Sequence, residues 1–131
     1  MRRGPWWFFA LAGACDTATG AGLLAAPSLV LRAMGVGSGP ADPTLVRFVG
    51  AFVLGVGLAY LGVALRQPRP GRARAVAEAT VAIRASVGLF VTVALASGAL
   101  PLPWISVPIT DLGLAAAQVW LLARGWFDDA A

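Results

Sequence analysis

Four apolar stretches, each about as long as a bilayer is thick, divide this chain. A hydrocarbon core about 30 Å across takes roughly 20 helical residues at about 1.5 Å each. Runs of that length occupy Trp6–Ala26, Thr44–Leu65, about Ala75–Leu100 and about Trp104–Leu122 of the 131 residues. Lipid offers backbone N–H and C=O groups no partners, so such runs satisfy them internally, as helices. The first run stops at Pro27. The second opens with Asp42-Pro43, a good N-cap residue followed by one suited to the first helical position. Between them PSLVLRAMG, about residues 28–35, reads as a short amphipathic turn at the membrane surface, followed by the loop GVGSGPADP. The expected fold class is all-α: an integral membrane four-helix bundle forming one transmembrane domain over residues 1–131.

Composition agrees. Hydrophobic residues make up 59% of the chain and charged ones 12%, against about 25% charged in a soluble domain. A soluble enzyme, a disordered tail and a disulfide scaffold all fit poorly. The start MRR before an apolar run resembles a signal peptide, and AGAC ending at Cys15 resembles a lipoprotein cleavage site. The apolar character runs on to Ala26, however, so the segment is read as a retained helix. Histidine and lysine are absent and Cys15 is the single cysteine. Haem held by His, most zinc sites, lysine Schiff bases and C-x-x-C redox pairs thus lose their usual residues, and no metal or cofactor is expected. Eight of the ten arginines flank the apolar runs instead of forming one patch, which argues for topology signals and not nucleic acid.

Arg2 and Arg3 precede the first run, Arg66, Arg69, Arg72 and Arg74 separate the second from the third, and Arg124 follows the fourth. Only Arg32 and Arg47 belong to the opposite side. The positive-inside rule then puts both termini and the RQPRPGRAR loop in the cytoplasm and the chain in the plasma (inner) membrane. Trp6, Trp7, Trp104, Trp120 and Trp126 fall near run ends, as interfacial aromatics do.

Helices in lipid associate through close packing and internal hydrogen bonds. Ala51, Gly55, Ala59 and Gly62 form a small-residue face on the second run, and Ala12, Gly13, Thr19 and Gly20 surround Asp16 on the first. Cys15 reads as a buried small hydrophobe. Five ionisable residues sit inside the runs: Asp16, Arg47, Glu78, Arg84 and Asp111. Each is costly at the bilayer centre, on the order of 2.5–3.5 kcal/mol, so each calls for a partner, water or a neutral form. Depth along the helices pairs Asp16 with Arg84 and Arg47 with Asp111. If Pro108 starts the last helix, Asp111 sits in its first turn, where the dipole favours a carboxylate. Glu78 follows Arg74 at a helical offset of four. These pairs lock helices together, or else they line a polar pocket in which Asp16, Arg84, Asp111 and Arg47 carry out chemistry. Thr19, Gln118 and Glu78 are then candidate ligand contacts, with Thr17 and Thr110 further donors.

RFVGAFVLGVGLAYL (Arg47 to Leu61) resembles the DoxX-like small four-helix membrane proteins. So do the PSLVLRAMG turn, the stretch AIRASVGLFVTVALASGALPLPW (Ala82 to Trp104) and the acid Asp111. The resemblance runs over most of the chain from Pro27 onward. It implies a four-helix bundle in the plasma membrane with Arg47, Arg84 and Asp111 at the matching charged positions. Thiol or quinone oxidation, connected with some such proteins, is poorly served by one cysteine and no histidine.

Three functions compete. The first is cofactor-free acid–base chemistry on a lipophilic small molecule, of isomerase, cyclase or epoxide-opening type. The second is a non-catalytic accessory subunit, packed on a membrane protein partner or on its own copies through the small face. The third is a proton-coupled multidrug exporter, matched by an acid midway along the first helix. Whether the chain is an enzyme at all is left open by the sequence.

Overall fold

The computed structural model describes residues 6–37, 39–40, 42–66 and 71–128. All regular structure among them is helical: α1 (Trp6–Ala25), α2 (Pro27–Ala33), α3 (Thr44–Ala64), α4 (Arg72–Ala96), a 3-10 turn (Leu102–Ile105) and α5 (Ser106–Ala123). Four helical segments are long and apolar enough to cross a membrane: α1, α3, α4, and the 3-10 turn taken with α5. The chain is therefore a multi-pass membrane protein. It divides into two compact units, one holding α1–α3 and the other α4 and α5. Arg2, Arg3 and Arg69, which bear on orientation, lie outside the described residues, as do Ser38 and Ala41 of the first loop.

In the first unit α1 and α3 run antiparallel, and glycine sets how close they come. A Cβ on Gly20 would lie 2.4 Å from the backbone nitrogen of Leu54, and one on Gly57 would lie 2.5 Å from that of Thr17. Gly50 meets the Cβ of Leu23 at 2.7 Å and Gly13 meets the backbone of Leu61 at 2.9 Å in the same way. Each helix thus offers two glycines seven residues apart to its neighbour's backbone. This corrects the face expected on α3. Ala51, Gly55 and Ala59 are exposed, and a Cβ on Gly55 would meet nothing within 4 Å. The side that packs is the one whose glycines, Gly50 and Gly57, meet the glycines of α1 and the backbone beside them.

Phe8, Phe9 and Tyr60 close one end of this pair, with ring centroids 6.3 Å apart for Phe8–Tyr60 and 5.9 Å for Phe9–Tyr60. All three are buried, and ring–ring packing at such distances adds to the area they remove from solvent. Cys15, by contrast, is exposed, contrary to expectation: it lies on the side of α1 opposite Gly13 and Gly20. The amphipathic turn is a seven-residue helix, α2, with Pro27 and Leu31 buried and Ser28, Leu29 and Arg32 exposed. Before α3, the Asp42 carboxylate accepts from the Thr44 amide at 2.9 Å and the Thr44 hydroxyl at 2.6 Å. Pro43, and not Asp42 as the sequence suggests, is the N-cap of α3; Asp42 caps the first helical amide from one residue further out, and the two bonds hold its carboxyl below the usual carboxylate range.

In the second unit, α4 starts three residues earlier and ends four earlier than the apolar run implies. Its end is a Schellman motif: Gly98 has φ 73°, its amide bonds Leu95 O at 3.1 Å, and the Ala99 amide bonds Ala94 O at 2.9 Å. Gly125 ends α5 in the same way, its amide on Leu122 O and that of Trp126 on Leu121 O.

Candidate functional site

The buried face of α4 carries Ala77, Thr80, Arg84, Gly88, Val91 and Ala94, at steps of three and four. Along α5 the corresponding residues are Pro108, Ala115, Gln118 and Leu121, with Asp111 half-buried in the same row. Because the two helices run antiparallel, Arg84 faces Asp111 and Thr80 faces Gln118. The tip of Leu112 fills the space above Gly88, 2.6 Å from where a Cβ would stand.

Two polar links cross this interface. Arg84 Nη1 donates to Asp111 Oδ1 at 2.5 Å, with the arginine side chain 4% exposed and the aspartate 18%. Two helical turns away, the fully buried Gln118 donates from Nε2 to the Thr80 hydroxyl at 2.8 Å and toward Ala77 O at 3.5 Å. Thr80 passes its own proton to Val76 O at 2.7 Å, so its oxygen is free to accept from Gln118. Both bridges are of the kind a low-dielectric surrounding strengthens.

Arg84 is the middle residue of α4, with twelve helical residues on either side. It therefore stands about 18 Å from each end. Asp111 is not in the first turn of its helix. The 3-10 turn begins at Leu102 and α5 at Ser106, ahead of Pro108, so Asp111 is the sixth α-helical residue. Its stabiliser is accordingly the guanidinium opposite and not the dipole of the helix start. Arg84 thus donates to Asp111, a pairing that the depth argument from sequence does not make. With the 3-10 turn counted, the apolar span is Leu102–Ala123 and Asp111 is its tenth residue of 22.

Only Oδ1 of Asp111 is engaged among the described residues; nothing donates to Oδ2. The group has an anchored oxygen and an uncommitted one. That is an arrangement able to exchange a proton or accept from a ligand hydroxyl while the arginine holds the carboxylate in place.

Among the remaining candidates, Asp16 is half-buried at mid-height of α1. Arg47 is exposed in the first turn of α3, and Thr19 is half-buried on α1. Glu78 accepts from Arg74 Nε at 2.8 Å on an exposed face, as the offset of four suggested. Arg74 also reaches Asp128 Oδ1 at 2.6 Å. The Thr110 hydroxyl turns back to Ser106 O at 2.8 Å. That of Thr17 is buried without a hydrogen-bond partner, against Gly57. Sequence reasoning missed Thr80 and Asp128. Thr80 stands one turn before Arg84, a position that could have flagged it; nothing local marks Asp128. No group of three or more potential metal-ligating residues occurs among the described residues.

Comparison with known proteins adds no relative: no family model matches the chain, and neither a curated protein nor a solved structure is similar to it at a significant level.

Proposed function

We propose that this membrane protein binds a lipophilic small molecule at mid-membrane depth and rearranges it by acid–base chemistry that needs no cofactor. The observation that carries the reading is Asp111, with one oxygen fixed by the buried Arg84 and the other uncommitted. An exposed carboxylate oxygen inside hydrocarbon is expensive unless it binds a proton or a polar group. A hydroxyl, an enolisable carbonyl or an epoxide on an otherwise apolar molecule supplies that group. Oδ2 takes a proton from one atom of the substrate and returns it at another, so an isomerisation or cyclisation closes without loss or gain of electrons. Arg84 keeps the carboxylate oriented throughout. Asp16, at mid-height of α1, is proposed as a second acid for such chemistry and Arg47 as a further cation. The arginine distribution favours the plasma membrane with both termini cytoplasmic, and the DoxX-like resemblance fits that arrangement.

Native mass spectrometry of gently extracted protein tests it. Wild type is expected to carry a small lipophilic adduct that Asp111→Asn and Asp16→Asn lose while remaining folded, Asp111→Asn with an earlier unfolding midpoint because the buried Arg84 loses a carboxylate. An adduct equally present in both variants refutes the reading. A second reading, an accessory subunit, has one observation in its favour: Ala51, Gly55 and Ala59 leave an open small-residue face on α3. A stoichiometric protein partner lost on Gly55→Leu, with no small adduct, would decide for it.

A further inference from the structure

One end of the α4–α5 pair gathers several charges whose pairing is uneven. Arg74 holds both nearby acids, Glu78 at 2.8 Å and Asp128 at 2.6 Å. Arg72, the first residue of α4, and Arg124, just past the end of α5, have no carboxylate partner among the described residues. Arg124 instead stands over the ring of Trp120, 5.1 Å from its centroid, and that ring is 53% exposed. The stacking holds the guanidinium out along the helix flank and away from the helix end. The antiparallel register that matches Arg84 with Asp111 and Ala77 with Gln118 also brings Arg72 level with Arg124.

Depth identifies what such a pair would meet. Arg72 lies twelve residues from Arg84, about 18 Å along α4, and Arg124 thirteen from Asp111, about 20 Å along α5. Trp120 lies nine residues from Asp111, about 14 Å. With the central ion pair at the bilayer midplane, hydrocarbon ends at about 15 Å and headgroups at about 20–22 Å. The tryptophan therefore falls at the edge of the hydrocarbon and both guanidinium groups in the phosphate layer.

We infer that Arg72 and Arg124, with Trp120 beneath them, form a binding site for the phosphate of an anionic phospholipid. Guanidinium groups suit this anion because each can donate two parallel hydrogen bonds to its oxygens. Glu78 and Asp128, the nearby acids among the described residues, are already held by Arg74.

The test compares protein reconstituted in phosphatidylcholine nanodiscs with and without phosphatidylglycerol, released into the mass spectrometer with its retained lipids. Wild type is expected to keep phosphatidylglycerol in preference to phosphatidylcholine. Each of Arg72→Gln and Arg124→Gln should weaken that preference on the order of 5-fold, and the pair on the order of 25-fold. Arg72→Lys/Arg124→Lys, which retains charge at both positions, should keep most of it and guards against loss of fold. Arg32→Gln, on α2, should change nothing. An undiminished preference in the double glutamine variant overturns the site. So does an equal loss with Arg32→Gln, which would mean diffuse attraction. Suppression of phosphatidylglycerol retention by inorganic phosphate would also overturn it, assigning the site to the free anion.

Discussion

Replacing Gly20 with alanine adds one methyl group, and the geometry of the first unit says where it goes. Its carbon would stand 2.4 Å from Leu54 N, 2.7 Å from Leu54 Cα and 2.7 Å from Gly50 O. All three are backbone atoms of α3 and cannot rotate away. Ordinary contact begins near 3.4 Å, so the helices must part by about 1 Å at this point. A gap of 0.5–1 Å already forfeits a quarter to a half of each dispersion contact it opens, and overpacking a close-packed site costs about 1–3 kcal/mol. The equilibrium between folded and unfolded protein should shift by roughly 5- to 150-fold. Gly55→Ala, five residues after Gly50 on the open side of α3, meets nothing within 4 Å and should be neutral. Unfolding titrations with sodium dodecyl sulfate in mixed micelles, followed by tryptophan fluorescence, measure both variants. Equal midpoints for Gly20→Ala and wild type, or an equal loss in Gly55→Ala, would refute backbone contact as what joins α1 to α3.

Three other outcomes follow from the same structure. Arg84→Met leaves Asp111 without its counter-charge and should destabilise by about 3–5 kcal/mol, whereas Arg84→Met/Asp111→Leu should recover most of that; a double variant as weak as the single would contradict it in the same titration. Thr17→Val exchanges a buried hydroxyl without a partner for a methyl group of similar size and should leave stability unchanged or slightly raised. For Asp42, whose carboxyl is held low by Thr44, the cap is fully present above the ordinary carboxylate range and is lost as pH falls through the folded-state value. The melting curves of wild type and Asp42→Ala, apart at neutral pH, should therefore converge in acid.

Helices and their approximate limits could be read directly, because a bilayer-length apolar run admits one backbone solution. Ends were harder. Glycine decides them through conformation, and Ser97-Gly98 lies within an apolar run that continues to Leu100. Which face of α3 meets α1 was illegible for another reason. Small residues occupy two neighbouring faces of that helix, and only the matched glycines of α1, seven apart, select between them. Among the charges, Glu78 with Arg74 could be found because a single helix fixes the offset. Arg84 with Asp111 joins two helices through a register that the 3-10 turn at Leu102–Ile105 sets, and nothing in composition announces that turn.

The central ion pair also has a history within each molecule's synthesis. Arg84 and Asp111 are 27 residues apart, and a ribosome adds about 5–20 residues per second. For one to several seconds α4 therefore has its arginine made and the answering aspartate still missing. An arginine at mid-helix adds on the order of 2.5–3.5 kcal/mol to the cost of leaving the translocon for lipid, and Asp111 offsets part of it. The chain meets this by making its last two helices a hairpin joined by nine residues, Ser97 to Ile105. The hairpin that carries both members of the pair is thus a natural unit of membrane insertion at this end.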